Sequence, residues 1–210
     1  KLRKCDIVKK HSDKSFIFCT SDNTLPIIPG LYASLDRRFY NKHLHAGGFY
    51  LEDPNLDLIQ KERNIKIRYL FSFMGNCSTH KCRDQILKLA GHESAMIRDV
   101  GNRAQDAWSK WDMDKMKRFS EEYSNLIQQS NFVLCPRGNG TTSIRLFETM
   151  KLGKVPGIIS DNWVPPIGPD WDQFSIRVKE NNISEIPNLL EKIDHRASEM
   201  GQRAEIEWNK

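Results

Sequence analysis

The chain has 210 residues, 39% of them hydrophobic and 28% charged, which suits a soluble globular protein with one large domain or two small ones. Its 32 basic and 27 acidic residues are interleaved and leave a net charge of only +5. The densest basic cluster is Lys1, Arg3, Lys4, Lys9 and Lys10, too thin a stripe for a polyanion binder, so nucleic acid is not an expected partner. No run of 18 apolar residues exists, and the opening KLRKCDIVKK lacks the apolar centre of a signal peptide. The chain starts at Lys1 rather than methionine, which suggests trimming that would also remove a targeting or membrane segment. The five cysteines lack zinc-type pairing, since Cys77 and Cys82 have no matching second pair, so reduced thiols and no metal are expected.

In chain order, residues 15–20 (SFIFCT) read as a strand, 22–30 as loop and 31–40 as a helix. Residues 42–64 have little periodicity and contain Gly47-Gly48 and Asp53-Pro54, which predicts loops, with His43 and His45 among them, and a lobe boundary near 61–64. Residues 65–73 form the strongest apolar strand of this half, followed by a turn at Gly75 and a helix over 79–90. A strand at 94–100 and an amphipathic helix at 115–129 come next, the latter with Asp112 or Asp114 at its start favouring the dipole. Residues 132–135 read as a buried parallel strand stopped by Pro136. Gly138 and Gly140 then allow positive φ and close approach to a ligand, and Thr141, Thr142 and Ser143 offer cap hydroxyls at a helix start, which together make an anion site. Ile144, Phe147, Met150 and Leu152 recur at helical spacing, Gly153 ends that helix, and the strand 155–160 delivers Asp161 and Trp163 into a loop. Helices over 183–193 and 196–208 close the chain. The alternation from residue 65 onward predicts an α/β sandwich with a mainly parallel sheet, whose ligands bind at the carboxyl ends of its strands.

Two other patterns compete for attention. Gly138 to Ser143 is one residue short of the G-x-G-x-x-G dinucleotide fingerprint, with Asp161 near the spacing of a ribose-binding acid, but Ser143 replaces the glycine that close helix packing needs. An NAD-dependent oxidoreductase is therefore a minor alternative. Asp112-Met113-Asp114 and Asp170-Trp171-Asp172 match an Asp-x-Asp metal motif, yet matches this short arise by chance, and the first is better explained as helix capping.

The segment 131–178 resembles the C-terminal half of the exostosin-type glycosyltransferases (family 47). A strand ending in Cys135-Pro136-Arg137-Gly138 leads to the helix Ser143-Ile144-Arg145-Leu146-Phe147-Glu148, then to Val155-Pro156-Gly157-Ile158-Ile159-Ser160, Asp161-Asn162-Trp163, Val164-Pro165-Pro166 and the set Trp171, Phe174, Ser175. Upstream, residues 68–75 resemble the strand that opens the same lobe, and Arg83 matches an arginine in its first helix. The resemblance implies an α/β, GT-B-like fold of two Rossmann-like lobes with a cleft between them. Residues 65–210 would be the C-terminal donor-binding lobe. Residues 1–64 would be a partial, short or truncated N-terminal acceptor-side lobe, being fewer than the ~100 of a full one. It also implies inverting, metal-independent transfer from a nucleotide sugar, a UDP-sugar such as UDP-xylose, UDP-glucuronate or UDP-galactose, to a hydroxyl of an oligosaccharide or glycoprotein, with no obligatory cofactor. A non-catalytic nucleotide-sugar-binding partner subunit is the alternative, and assembly with itself or another chain is left open. The expected location is the cytoplasm or, with an anchor removed, the Golgi lumen.

Transfer from a nucleoside diphosphate needs charge stabilisation on the leaving phosphate and a base near the acceptor hydroxyl. Arg137 and the amides after Gly138 suit the first task, and Glu148, one turn beyond Arg145, suits hydrogen bonding to ribose hydroxyls. The expected donor-side set is Gly75, Arg83, Arg137, Gly138, Thr142, Ser143, Arg145, Glu148, Asp161 and Trp163, with Trp163 and Trp171 either core or stacking aromatics. Asp22, whose preceding strand resembles the family's N-lobe strand and acidic turn, and His45 are the candidate bases.

Overall fold

The alternation Phe132, Val133, Leu134, Cys135 sends successive side chains to opposite faces of a sheet, and every one of them is buried. A strand buried on both faces belongs at the centre of a parallel sheet covered by helices, and β6 (Ser130–Pro136) takes that place. The computed structural model describes residues 6–11, 14–22, 24–50, 65–101, 103, 106, 109–110 and 112–210.

The large sheet contains β4 (Tyr69–Gly75), β5 (Ala95–Asp99), β6, β7 (Val155–Ile159) and β8 (Ile176–Val178), in the order β5-β4-β6-β7-β8 with every pair parallel. The chain steps outward from β4 to β5, then returns past β4 to β6. The topological switch point therefore lies between β4 and β6, where ligands of open α/β sheets bind.

Helices cover both faces. Helices α3 (Met113–Gln128) and α4 (Ile144–Lys151) bury Tyr123, Ile127, Leu146 and Met150 against Met74, Val133, Cys135 and Ile158. On the other face, α2 (Lys81–Leu87), α5 (Ile186–Ile193) and the start of α6 (Ala197–Trp208) cover Phe71, Phe73, Phe132 and Leu134. Each large side chain so enclosed contributes about 1.5–3 kcal/mol. Asp112 caps α3 as its sequence suggested, accepting from the Lys115 amide at 3.1 Å. Gly153 ends α4 in the left-handed region, at φ +66°.

A smaller parallel sheet, in the order β1 (Ile17–Cys19), β2 (Gly30–Tyr32), β3 (His45–Gly47), precedes the large one, and α1 (Asp6–Lys10) precedes both. Two expectations change here. Residues 31–40 form β2, a turn and the single 3-10 turn Arg37–Phe39 rather than a helix. Strand pairing on both sides of β2 outweighs the helical spacing, and Tyr32 and Leu35 bury themselves with Cys19. His45 lies on a strand, not in a loop. The small sheet docks on the loop after β7 through Arg37 N–H to Asn162 O at 2.7 Å and Val164 N–H to Leu35 O at 3.0 Å. The boundary expected near 61–64 falls outside the described residues.

Candidate functional site

Strand ends at the switch point leave carbonyl groups without ladder partners, and a buried arginine collects them. From α2, Arg83 donates Nε to Arg137 O at 2.9 Å, Nη2 to Pro136 O at 3.1 Å and Nη1 to Asn76 O at 2.7 Å. Burial, with the charge of Arg145 adding to it, lowers its guanidinium to about 10, so it stays charged near neutrality. Arg145 reaches across from α4, donates Nη2 to Met74 O, and stacks 4.8 Å over the Phe73 ring and 5.5 Å over Tyr123. Burial works against its charge, but Tyr123 and Glu148 beside it outweigh that and raise its pKa. A Cβ on Gly75 would sit 2.6 Å from Arg145 Nη2, so this glycine makes room for the arginine. Glu148, 1% exposed, accepts from the Tyr123 hydroxyl at 2.5 Å. Burial raises the Tyr123 phenol and keeps it a donor. Gly75, Arg83, Arg145 and Glu148 thus form one buried framework that ties α2, α3 and α4 to the ends of β4 and β6.

The glycine loop sits on that framework and faces the small sheet. Gly138 packs on Arg83, its Cβ position 3.1 Å from Nη2. A Cβ on Gly140 would meet Ser34 Oγ at 2.4 Å and Asp22 Oδ1 at 2.8 Å. Neither is among the positive-φ glycines, so the loop uses glycine for close approach alone, a correction to the sequence expectation. The hydroxyls also differ from expectation. Ser143 makes no side-chain cap bond, and Thr141 Oγ1 crosses to Leu35 O at 3.2 Å. The amides opening α4 therefore lack the Ser143 cap, and the Thr142 amide only reaches Ser34 Oγ at 3.4 Å.

Between the loop and the small-sheet segment lies a cavity of about 200 Å³, lined by Arg137, Asn139, Gly140 and Thr141 on one side and by Asp22, Ser34 and Asp36 on the other. It is smaller than the ~300 Å³ at which small-molecule pockets begin, so it admits a phosphate or one sugar ring rather than a whole nucleotide sugar. Asp22 Oδ1 accepts from Tyr50 OH at 2.5 Å and from Ser34 Oγ at 3.1 Å. Asp36 is bound bidentately by Arg38, whose hydrogen bonds hold its carboxyl low, with the charge of Arg137 adding to the effect.

Among the described residues, the buried polar side-chain atoms without partners are Arg137 Nε, Thr142 Oγ1, Arg145 Nε, Ser160 Oγ and Trp163 Nε1. Proteins leave few such atoms unpaired. Of these residues Arg137 lines the cavity, whereas Ser160 lines a separate groove.

The remaining expected site residues lie elsewhere. Asp161 exchanges bonds with Glu180, its N–H donating to Oε1 at 3.2 Å and its Oδ1 accepting from Glu180 N–H at 3.1 Å, beside a second groove shared with Arg177. Trp163 is 1% exposed and edge-on to Trp171 at 5.2 Å, so it is a core aromatic and presents no face for stacking. His45 is buried against Tyr32, its Nδ1 accepting from Asn41 N–H at 3.2 Å, and burial lowers its pKa. It does not line the cavity that Asp22 lines. Sequence reasoning missed Ser34 and Asp36, read as part of a helix, Tyr50, in an aperiodic segment, and Asn139, passed over between the two glycines of the loop.

The Exostosin GT47 domain model matches residues 43–193. The chain belongs to the exostosin GT47 family. It is similar to the Exostosin-1 homolog of Caenorhabditis elegans, at 28% identity over 162 residues, covering 72% of this chain and 41% of that protein. Exostosin-1 of Drosophila melanogaster is 28% identical over 134 residues, 62% of this chain and 17% of that protein. A probable glycosyltransferase of Arabidopsis thaliana is 34% identical over 71 residues, 33% of this chain and 15% of that protein. The chain thus spans less than half the length of these relatives. Among solved structures, Anabaena HepE in complex with UDP aligns with 99% of this chain and 77% of its own, at 10% identity and a TM-score of 0.49.

Proposed function

We propose that this exostosin-family chain carries the donor-binding lobe of an inverting glycosyltransferase that moves a sugar from a nucleotide sugar to a glycan hydroxyl. Residues 65–210 form the donor side and residues 1–64 the acceptor side. The supporting observation is the cavity in which an anion-binding element, Arg137 and the glycine loop, meets the carboxylate of Asp22. Arg137 and the amides opening α4 hold the diphosphate, and the buried Arg83 and Arg145 add positive potential behind it. Asp22 takes the acceptor proton as the acceptor oxygen bonds to the anomeric carbon. The bond from that carbon to the phosphate oxygen breaks in the same displacement, and the diphosphate leaves with the electron pair. Tyr50 and Ser34 hold the carboxylate of Asp22 in place. Arginine and amide donors meet the leaving-group charge, so transfer needs no divalent metal.

UDP is the nucleotide that the exostosin resemblance favours, with xylose, glucuronate and galactose as candidate sugars. Incubating the chain with a panel of labelled UDP-sugars, oligosaccharide acceptors and a chelator tests this. Label should pass to the acceptor with inverted configuration. Transfer that the chelator abolishes, or release of label only to water from every donor, would contradict the proposal.

A further inference from the structure

Three side chains with metal-ligating atoms converge at the edge of the switch point, apart from the donor cavity. His80 caps α2, Cys82 lies in its first turn, and Glu180 follows β8. Their ligand atoms all lie within 4.8 Å of one another, with His80 Nδ1 3.1 Å from Cys82 Sγ. We infer that His80, Cys82 and Glu180 form a Zn²⁺ site with one open position.

The donor set is one imidazole nitrogen, one sulfur and one carboxylate oxygen, which selects zinc over the oxygen-seeking Mg²⁺ and Ca²⁺. Tetrahedral zinc with bonds of about 2.0–2.3 Å sets its ligand atoms roughly 3.3–3.8 Å apart. The His80 to Cys82 edge is already about that short, so Glu180 has to close by roughly 1–1.5 Å, and His80 Nδ1 gives up the cap bond it accepts from the Cys82 N–H at 3.3 Å when it binds the metal. Glu180 is oriented for this by its exchange of bonds with Asp161, which engages one carboxylate oxygen and leaves the other for the metal. Cys82 and Glu180 also line an open cavity of about 340 Å³, which gives water access to the fourth position.

Zinc binds the thiolate form, so the Cys82 thiol proton goes to solvent as the Zn–S bond forms. With one thiolate and one carboxylate the centre is neutral, so Arg83 and Arg137 nearby do not repel it as they would a bare dication. Cys82 Sγ lies 3.9 Å from Arg137 O, which Arg83 also binds, so an occupied site would sit directly behind the glycine loop.

Titration of Co²⁺ and then Zn²⁺ into the reduced full chain tests the site without relying on any transferase activity. A thiolate-to-Co²⁺ charge-transfer band should grow to one equivalent and bleach when Zn²⁺ is added. Cys82→Ser should lack the band, and Glu180→Gln, which loses a charged direct ligand, should bind Zn²⁺ at least about tenfold more weakly. Zn²⁺ should raise the thermal midpoint of the wild type and not that of Cys82→Ser, with circular dichroism verifying that both variants fold. No band in the wild type, or a band that survives in Cys82→Ser and so belongs to another of the cysteines, would overturn the assignment.

Discussion

Arg145→Ala is expected to lower unfolding stability by about 3–5 kcal/mol, read as a shift of the urea midpoint at constant slope. The guanidinium is buried, ties α4 to the end of β4 through Met74 O, and lies over the rings of Phe73 and Tyr123. Its removal strands the Met74 carbonyl and takes away the charge that favours the buried Glu148 carboxylate. The size of the effect decides between two roles. A surface i,i+3 pair with Glu148 contributes only about 0.2–0.5 kcal/mol. If the loss comes from the buried charge, adding Glu148→Gln to Arg145→Ala should recover part of it, a coupling of about 0.5–3 kcal/mol. A loss below about 1 kcal/mol, the range of an exposed ion pair, would contradict this buried role for Arg145.

Asp22→Asn is expected to reduce sugar transfer by about 10²–10⁴-fold while leaving nucleotide affinity unchanged. Asparagine keeps an oxygen that accepts from Tyr50 and Ser34, so the local geometry survives and only the ability to take a proton is lost. Steady-state transfer rates set beside calorimetric UDP binding separate the two effects. His45→Gln serves as the comparison, because His45 is packed on Tyr32 and does not line the cavity. Transfer that survives Asp22→Asn and disappears in His45→Gln would reverse the assignment of the base.

The unit β6-α4-β7 was legible in the sequence because each of its signals has a local cause. The apolar run fits a strand covered on both sides, Ile144, Phe147 and Met150 keep helical spacing, and Gly153 supplies the left-handed residue that ends α4. Residues 31–40 were not legible, since Leu31, Leu35 and Phe39 fit a helix until pairing with β1 and β3 claims the first of them. The arginines show a different limit. The family resemblance marks Arg83 and Arg145 as notable, but it does not tell a side chain that touches a ligand from one that satisfies strand-end carbonyls. The partnership of Asp22, Ser34 and Tyr50 with the glycine loop joins residues 108 positions apart in the case of Ser34 and Thr142. No periodic pattern carries such a contact.

On the proposed reading, Arg137 and the glycine loop hold the diphosphate of a nucleotide donor. Calorimetric titration of UDP into the wild type and into Arg137→Ala tests it most directly. The wild type should bind, and Arg137→Ala, whose side chain is half-buried and whose Nε lacks a protein partner, should keep its fold and bind about 10²-fold more weakly, as loss of a charge-assisted contact of up to about 3 kcal/mol implies. Equal affinity in both proteins would place the nucleotide elsewhere, and no binding in either would contradict a donor site in this lobe.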